Sequence, residues 1–313
     1  MKDSLVEIDD VWVRYPFGKS SFFALRGITL SIGQNETLGV VGESGCGKTT
    51  LGKTLLQLQK ATKGDVRFQN FSLSGLSQQQ LLPFRKKMQM VFQDPDSSLN
   101  PKRTCGDHIV EALEVHHLYQ GKTQIDGLFE QVGLPAHFAT RYPFELSGGQ
   151  KQRVSIARAI ACEPNLIVLD EPLSSLDLSI RIQILSLLKE LQQKKDLSYL
   201  FISHDLTTMK MIADRIAVLY LGSLCELAPK DGLYTHPRHP YTQILLSSVP
   251  QISTGKSFHE GAKLIGEPPS LIAPPMCCSF HPRCPFAKEI CRHETPQLQE
   301  VASNHFCACH FPL

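Results

Sequence analysis

The sequence predicts an α/β protein with a mainly parallel sheet, an inserted helical subdomain and a small Cys/Pro-rich C-terminal extension. Three observations lead there. Short apolar runs of strand character alternate with stripes of helical spacing. A glycine-rich loop joins one such strand directly to a helix. From about Pro229 the composition turns to Pro, His and Cys. A chain of 313 residues can hold one large α/β domain and an appendage. The expected division is residues 1–228 and 229–313, with the helical subdomain at about 98–161.

The elements follow in order. Glu36-Thr37-Leu38-Gly39-Val40-Val41 reads as a strand, and Leu51, Leu55, Leu56 and Leu58 continue at near-helical spacing until Lys63-Gly64. The stretch from Ser98 to Ala161 contains mostly helical patterns. Leu166-Ile167-Val168-Leu169 is a second buried strand and Leu200-Phe201-Ile202 a third, with Ile182, Leu185, Leu188 and Leu191 as a helical stripe between them. Pro274-Pro275 marks a rigid stretch in the tail.

Composition excludes several classes. Apolar residues at 42% and charged residues at 20% describe a protein with a sizeable core. A net charge of +2 gives no case for nucleic acid, which demands a clustered basic face. Met1 to Asp10 lacks the layout of a signal peptide, and no apolar run approaches the ~20 residues of a membrane-spanning helix. Of ten cysteines, six (Cys277, Cys278, Cys284, Cys291, Cys307 and Cys309) crowd into the last 37 residues. A secreted disulfide scaffold would be short and carry a signal peptide. The expectation is a cytosolic chain with a metal site in its tail.

The loop Gly42-Glu43-Ser44-Gly45-Cys46-Gly47-Lys48-Thr49, followed by Thr50, matches G-x-x-x-x-G-K-T between a strand and a helix. Its glycines let backbone N–H groups approach phosphates, and the helix that opens near Gly47 adds its positive dipole end. Lys48 is expected to reach the β- and γ-phosphates, and the Thr49 hydroxyl to bind Mg²⁺. Leu169-Asp170-Glu171-Pro172 ends the second strand with two acids. Asp170 is placed to orient Mg²⁺ ligands, and Glu171 to polarise an attacking water as general base. Ser147-Gly148-Gly149-Gln150 has the S-x-x-Q form of a capping box. It precedes a helical segment through Val154, Ile156, Ala157, Ile160 and Ala161, with Pro164 just beyond.

With Leu146, that signature and the phosphate loop, about a hundred residues apart, resemble the nucleotide-binding subunits of ABC transporters. The resemblance implies ATP and Mg²⁺ as cofactors. It also implies that each signature loop closes on the ATP held by a second ATPase subunit, and that Asp170 and Glu171 keep separate roles. Gln93 matches the glutamine that touches Mg²⁺ or water, His204 the histidine facing the γ-phosphate, and Asp177 the acid of the D-loop, where Ser175 replaces a commoner alanine. Tyr15 is the candidate for stacking on adenine, with Phe17 competing.

The tail contains His236-Pro237-Arg238-His239-Pro240-Tyr241-Thr242, Leu245-Leu246, Val249-Pro250, Gly266-Glu267-Pro268-Pro269 and Phe280-His281-Pro282-Arg283-Cys284-Pro285. These resemble the C-terminal extension of ATPases that drive oligopeptide and dipeptide importers. The resemblance implies a peripheral subunit on the cytoplasmic face of the inner membrane. Its implied partners are a related, non-identical ATPase, two membrane permease subunits and an extracytoplasmic substrate-binding protein. Relatives handling nickel, glutathione or antimicrobial peptides share the extension, so cargo stays open. Some members hold a four-iron four-sulfur cluster on cysteines matching Cys278, Cys284, Cys291 and Cys309, spaced C-x5-C-x6-C-x17-C. That spacing fits neither common zinc fingers nor the ferredoxin run. Zinc or unliganded thiols remain alternatives, with Cys277, Cys307, His281 and His310 nearby. A soluble non-transport ABC ATPase would carry two ATPase units or a long coiled coil, and a degenerate non-hydrolysing subunit tends to lose Glu171, His204 or the signature glycines. Neither description matches.

Overall fold

The computed structural model describes residues 4–18, 20–247, 269–272 and 274–313. The tail motifs Val249-Pro250 and Gly266-Glu267-Pro268 lie outside them. The chain forms two compact units. One is chiefly Gly75–Ile202 with Ile32–Glu36; the other combines Val6–Ser31 and Thr37–Ser74 with most of the chain from Ser203 on.

In chain order the elements begin with β1 (Ser4–Phe17), β2 (Ser20–Gly33), β3 (Thr37–Val41), α1 (Lys48–Leu55), β4 (Lys63–Phe68) and β5 (Phe71–Ser72). There follow α2 (Gln78–Lys87), β6 (Met88–Val91), α3 (Pro95–Ser98), α4 (Cys105–Val115), α5 (Lys122–Gln131) and α6 (Gly148–Ala161). Then come β7 (Leu166–Asp170), α7 (Leu178–Lys195), β8 (Ser198–Ile202), α8 (Leu206–Ile212), β9 (Arg215–Tyr220) and β10 (Ser223–Pro229). The tail contributes α9 (Lys230–Thr235), α10 (Pro240–Ser247), β11 (Gln299–Ala302) and β12 (His305–Cys307).

In the first unit β6, β7 and β8 pair in parallel, Val91 beside Leu169 and Asp170 beside Ile202. All five residues of β7 and of β8 are buried. A strand covered on both faces reads as an unbroken apolar run, which is why both were visible in the sequence. Between β6 and β7 the elements are helical, as expected for the inserted subdomain. Helix α7 buries Ile184, Leu185, Leu187, Leu188 and Leu191, whereas Ile182 is 46% exposed and does not belong to the stripe.

In the second unit β3 pairs in parallel with β9, and β9, β10, β12 and β11 continue antiparallel. Strands β1, β4 and β5 pair antiparallel in a separate sheet whose β1 edge is joined by β2. The α/β class is therefore as expected, with the strand pairing mixed. Helix α1 ends at Leu55, and Gln57 turns the chain with φ +54°. Leu58 consequently lies beyond the helix and is exposed.

The tail is anchored by a carboxylate. Glu226, on β10 and fully buried, accepts hydrogen bonds from the Arg238 N–H (2.7 Å) and the His239 N–H (2.9 Å), and its Oε1 lies 2.6 Å from His305 Nε2. A buried acid is tolerated only when its oxygens are satisfied in this way. Phe280, also buried, packs on Tyr220 and Tyr241 with both ring centroids at 5.3 Å. A few aromatic rings thus supply the apolar payload that this Pro- and Cys-rich segment otherwise lacks.

Candidate functional site

The second unit carries the phosphate loop. Gly47 occupies the N-cap of α1 at φ +108°, and a Cβ there would stand 2.5 Å from the Ala24 carbonyl oxygen. Only glycine accepts both constraints. No side chain caps the first turn of α1, so its positive dipole end favours an anion there. Lys48 is 5% exposed, and its ammonium donates to the carbonyls of Gly42 (2.8 Å) and Glu43 (2.9 Å). That holds the charge at the start of the loop. Cys46 is buried, and burial pushes its thiol pKa up despite Lys48 nearby. It is a packing residue in its protonated form.

His204 is exposed on the turn before α8. The turn is rigid: Asp205 caps α8, Ser203 Oγ accepts the Asp205 N–H (3.0 Å), and the Ser203 N–H donates to Val40 (3.1 Å) on the strand leading into the phosphate loop. Tyr15, half-buried on β1, packs against Phe22 at 6.0 Å, and Phe17 packs on the same ring at 6.5 Å.

Sequence reasoning missed a further set of loop contacts. Arg283 donates from Nη1 to Glu43 Oε2 (2.8 Å) and from Nη2 to Glu43 Oε1 (3.0 Å). The Tyr241 hydroxyl accepts the Glu43 N–H at 2.9 Å, and the Tyr220 hydroxyl lies 3.3 Å from Arg283 Nη1. Burial alone would lower the Arg283 pKa; its bonds to Glu43 and Tyr220 outweigh that and raise it. The signal was present only as the unexplained tail motif Phe280–Pro285.

The first unit carries the acids. Asp170, the last residue of β7, is 3% exposed. Glu171 adopts φ +43°, rare for a residue with a Cβ, and its N–H donates to Ile202 at 3.0 Å. Such strain clusters where a side chain must be aimed. Gln93, just past β6, donates from Nε2 to Glu171 Oε2 at 3.3 Å. The unit therefore brings together two residues that lie 78 apart in sequence.

Ser147 caps α6 in a full capping box: its hydroxyl accepts the Gln150 N–H (3.4 Å) and Gln150 Oε1 accepts the Ser147 N–H (2.9 Å). Ser147 and Gly148 are exposed. A Cβ on Gly149 would meet Ile180 Cγ2 at 2.6 Å. Asp177 is exposed at the N-cap of α7 without a side-chain cap bond, and Arg181 Nε holds the preceding turn through the Leu176 carbonyl at 2.7 Å.

In the tail, Cys278, Cys284, Cys291 and Cys309 line one pocket walled by Phe280, Phe286 and Phe311. Burial pushes the Cys278 thiol up to about 11, and the Cys284 and Cys309 thiols upward. The Cys309 sulfur also accepts the Phe311 N–H, two residues on, at 3.4 Å. Among the described residues no three His, Cys, Asp or Glu side chains form a site for a metal ion.

Comparison with known proteins places these features. The family described as "ABC transporter" matches residues 25–174, and that described as "Oligopeptide/dipeptide transporter, C-terminal region" matches residues 225–291. The chain is 46% identical over 321 residues to the oligopeptide transport ATP-binding protein AppF of Bacillus subtilis, covering 99% of this chain and 98% of AppF. It is 48% identical over 255 residues to OppF of the same organism, covering 80% of this chain and 84% of OppF. Among solved structures it is similar to the ATP-binding cassette MJ0796 bound to ADP and Pi. The TM-score is 0.65 and the identity 29%, covering 72% of this chain and 98% of that one.

Proposed function

This chain belongs to the ABC transporter ATP-binding proteins that carry the oligopeptide/dipeptide-type C-terminal region, and we propose that it hydrolyses ATP to energise peptide import through a membrane complex. The observation that carries the reading is the phosphate loop, an uncapped helix start behind an obligate glycine with a buried lysine at its head.

In this reading Lys48 and the backbone N–H groups from Ser44 to Thr50 hold the phosphates, the Glu43 N–H being taken by the Tyr241 hydroxyl, and Tyr15 stacks on adenine. Thr49, Gln93 and Asp170 would hold Mg²⁺; a buried carboxylate, a hydroxyl and an amide are the oxygen donors that this hard cation takes. Bound there, Mg²⁺ supplies neutralisation of phosphate charge. Glu171, its carboxylate held by Gln93, takes the proton of the attacking water, and ADP and phosphate leave. His204 faces the γ-phosphate. Ser147, Gly148, Gly149 and Gln150, with Asp177, close on the nucleotide of a second, related ATPase; the exposure of Ser147, Gly148 and Asp177 supports this. No helix among the described residues is long and apolar enough to cross a membrane. In this reading two permease subunits supply the path, a binding protein supplies cargo, and the chain sits peripherally on the cytoplasmic face. The domain boundary falls at about residue 229, after β10.

Steady-state hydrolysis of Mg·ATP tests the reading. Lys48→Ala abolishes turnover, and wild-type rates in that variant would overturn it. Uptake into vesicles carrying the assembled complex, with peptides set against nickel and glutathione, decides the cargo.

We propose that Cys278, Cys284, Cys291 and Cys309, which line one pocket, hold a four-iron four-sulfur cluster, with a single zinc or unliganded thiols as the alternatives. These thiols line a shared pocket, and the Cys309 sulfur accepts the Phe311 N–H at 3.4 Å. Such bonds steady thiolates around a cluster. When bound, the cluster would supply a structural cross-link to a segment with a small apolar core. Anaerobically purified protein is then brown, with about four iron and four sulfide per chain. Cys284→Ser and Cys291→Ser lose the colour and Cys105→Ser keeps it. Colourless protein with one zinc would reassign the site.

A further inference from the structure

The phosphate loop is held from its far side by residues that no nucleotide motif contains. Glu43, the first residue after Gly42, is gripped at both ends. Both carboxylate oxygens receive the Arg283 guanidinium, at 2.8 and 3.0 Å, and its backbone N–H is taken by the Tyr241 hydroxyl at 2.9 Å. The side chain of Arg283 is 5% exposed and that of Glu43 20%, so the pair is screened little by solvent. A two-pronged guanidinium–carboxylate contact fixes orientation as well as distance. Arg283 is itself placed by the Tyr220 hydroxyl, by the edge-on and tilted packing of the Tyr220, Tyr241 and Phe280 rings, and by a short helical turn over His281–Arg283. Pro269 and Leu271 of the same tail line a cavity of about 100 Å³ with Glu43, Ser44, Gly45 and Cys46.

We propose that Arg283 is a positioning residue for nucleotide binding: through Glu43 it sets the conformation of the phosphate loop, making the C-terminal tail a working part of the ATP site. The chemistry is specific. The Glu43 carbonyl accepts from Lys48, so the residue that Arg283 grips also directs the lysine expected at the phosphates. Freeing Glu43 lets its carbonyl and the Lys48 ammonium move together. A negative carboxylate beside the phosphates would then also lose its neutralising partner. Arg283 touches neither substrate nor metal in this account. Its effect is exerted on affinity.

The inference rests on the ATP reading above, and equilibrium binding of a fluorescent ATP analogue to the full-length protein separates the two. Wild-type protein that binds no nucleotide refutes the ATP reading itself. With wild-type binding established, Arg283→Ala is expected to raise Kd and KM for ATP on the order of tenfold to a hundredfold, the scale of a small misplacement of binding groups. Turnover at saturating ATP stays within about twofold. Arg283→Lys, which keeps charge without the fork, falls between wild type and Arg283→Ala. Glu43→Gln approaches the same affinity loss from the loop side and stands in if Arg283→Ala does not fold. The double variant Arg283→Ala/Glu43→Gln is no weaker than the worse single variant, because the two residues form one interaction. A melting temperature that falls while Kd stays at the wild-type value would overturn the proposal, leaving Arg283 a structural residue only. Strictly additive losses in the double variant would overturn it as well.

Discussion

The phosphate loop and the signature loop are both glycine-rich helix starts, yet they use glycine differently. At the phosphate loop Gly47 is forced by backbone: φ is +108°, and the atom a Cβ would strike is a carbonyl oxygen at 2.5 Å. The helix behind it has no side-chain cap. At the signature loop Gly149 is forced by a neighbour: a Cβ would strike the Ile180 side chain at 2.6 Å. The helix behind it is fully capped by Ser147 and Gln150. One loop leaves its helix start without a side-chain cap and makes its turn sharp. The other closes its helix start with the reciprocal Ser147–Gln150 cap. In the proposed function the first holds an anion within its own chain, and the second is approached from outside.

Substitutions break or sharpen that contrast. The largest effect is expected for Gly47→Ala, which meets both a forbidden φ and immovable backbone. ATP-analogue binding is lost by more than about a hundredfold, and no second-site change restores it. Next comes Gly149→Ala, which overpacks α7 and lowers stability by about 1–3 kcal/mol in denaturant unfolding. Adding Ile180→Ala recovers part of that loss, because the obstacle is a side chain. If Ile180→Ala does nothing, the contrast between the loops is wrong. Ser147→Ala removes the cap of α6 and costs about 1 kcal/mol, while the chain's own ATP-analogue affinity stays at wild type.

The smallest effect is a pH dependence in the helical region that carries the signature helix. Burial chiefly lowers the pKa of His108, with Arg158 and Arg103 adding to this and the Asn100 carbonyl and Glu111 opposing it. The folded protein thus holds His108 neutral where the unfolded chain already binds a proton. Stability from this group is complete above the unfolded value near 6.5 and declines as pH falls below it. His108→Asn flattens the decline in thermal melts between about pH 6.5 and 5.

The contrast was only half legible beforehand. β3, β7 and β8 were visible because strands buried on both faces are unbroken apolar runs. The S-x-x-Q pattern foretold the capping box at Ser147. Apolar spacing alone could not say which face of α7 was inward, so Ile182 was misplaced while Ile184 and Leu187 went unmentioned. Leu58 was drawn into α1 because nothing in its own identity announces the φ +54° turn at Gln57. The site's tail contacts were invisible for a different reason. Arg283 and Glu43 are 240 residues apart, and no local periodicity reports a contact at that range.

That separation gives the molecule a timetable. A ribosome adding about 5–20 residues per second delivers Glu43 well before the arginine that grips it, by roughly 12–48 seconds. The strand, loop and helix around Lys48 can form in the interval, but the grip on Glu43 cannot. A chain cut short before Arg283 would carry every nucleotide motif and still lack the contact that sets its loop. Synthesis of the tail and full affinity for ATP are thereby coupled, and a subunit lacking Arg283 stays a weak competitor for nucleotide.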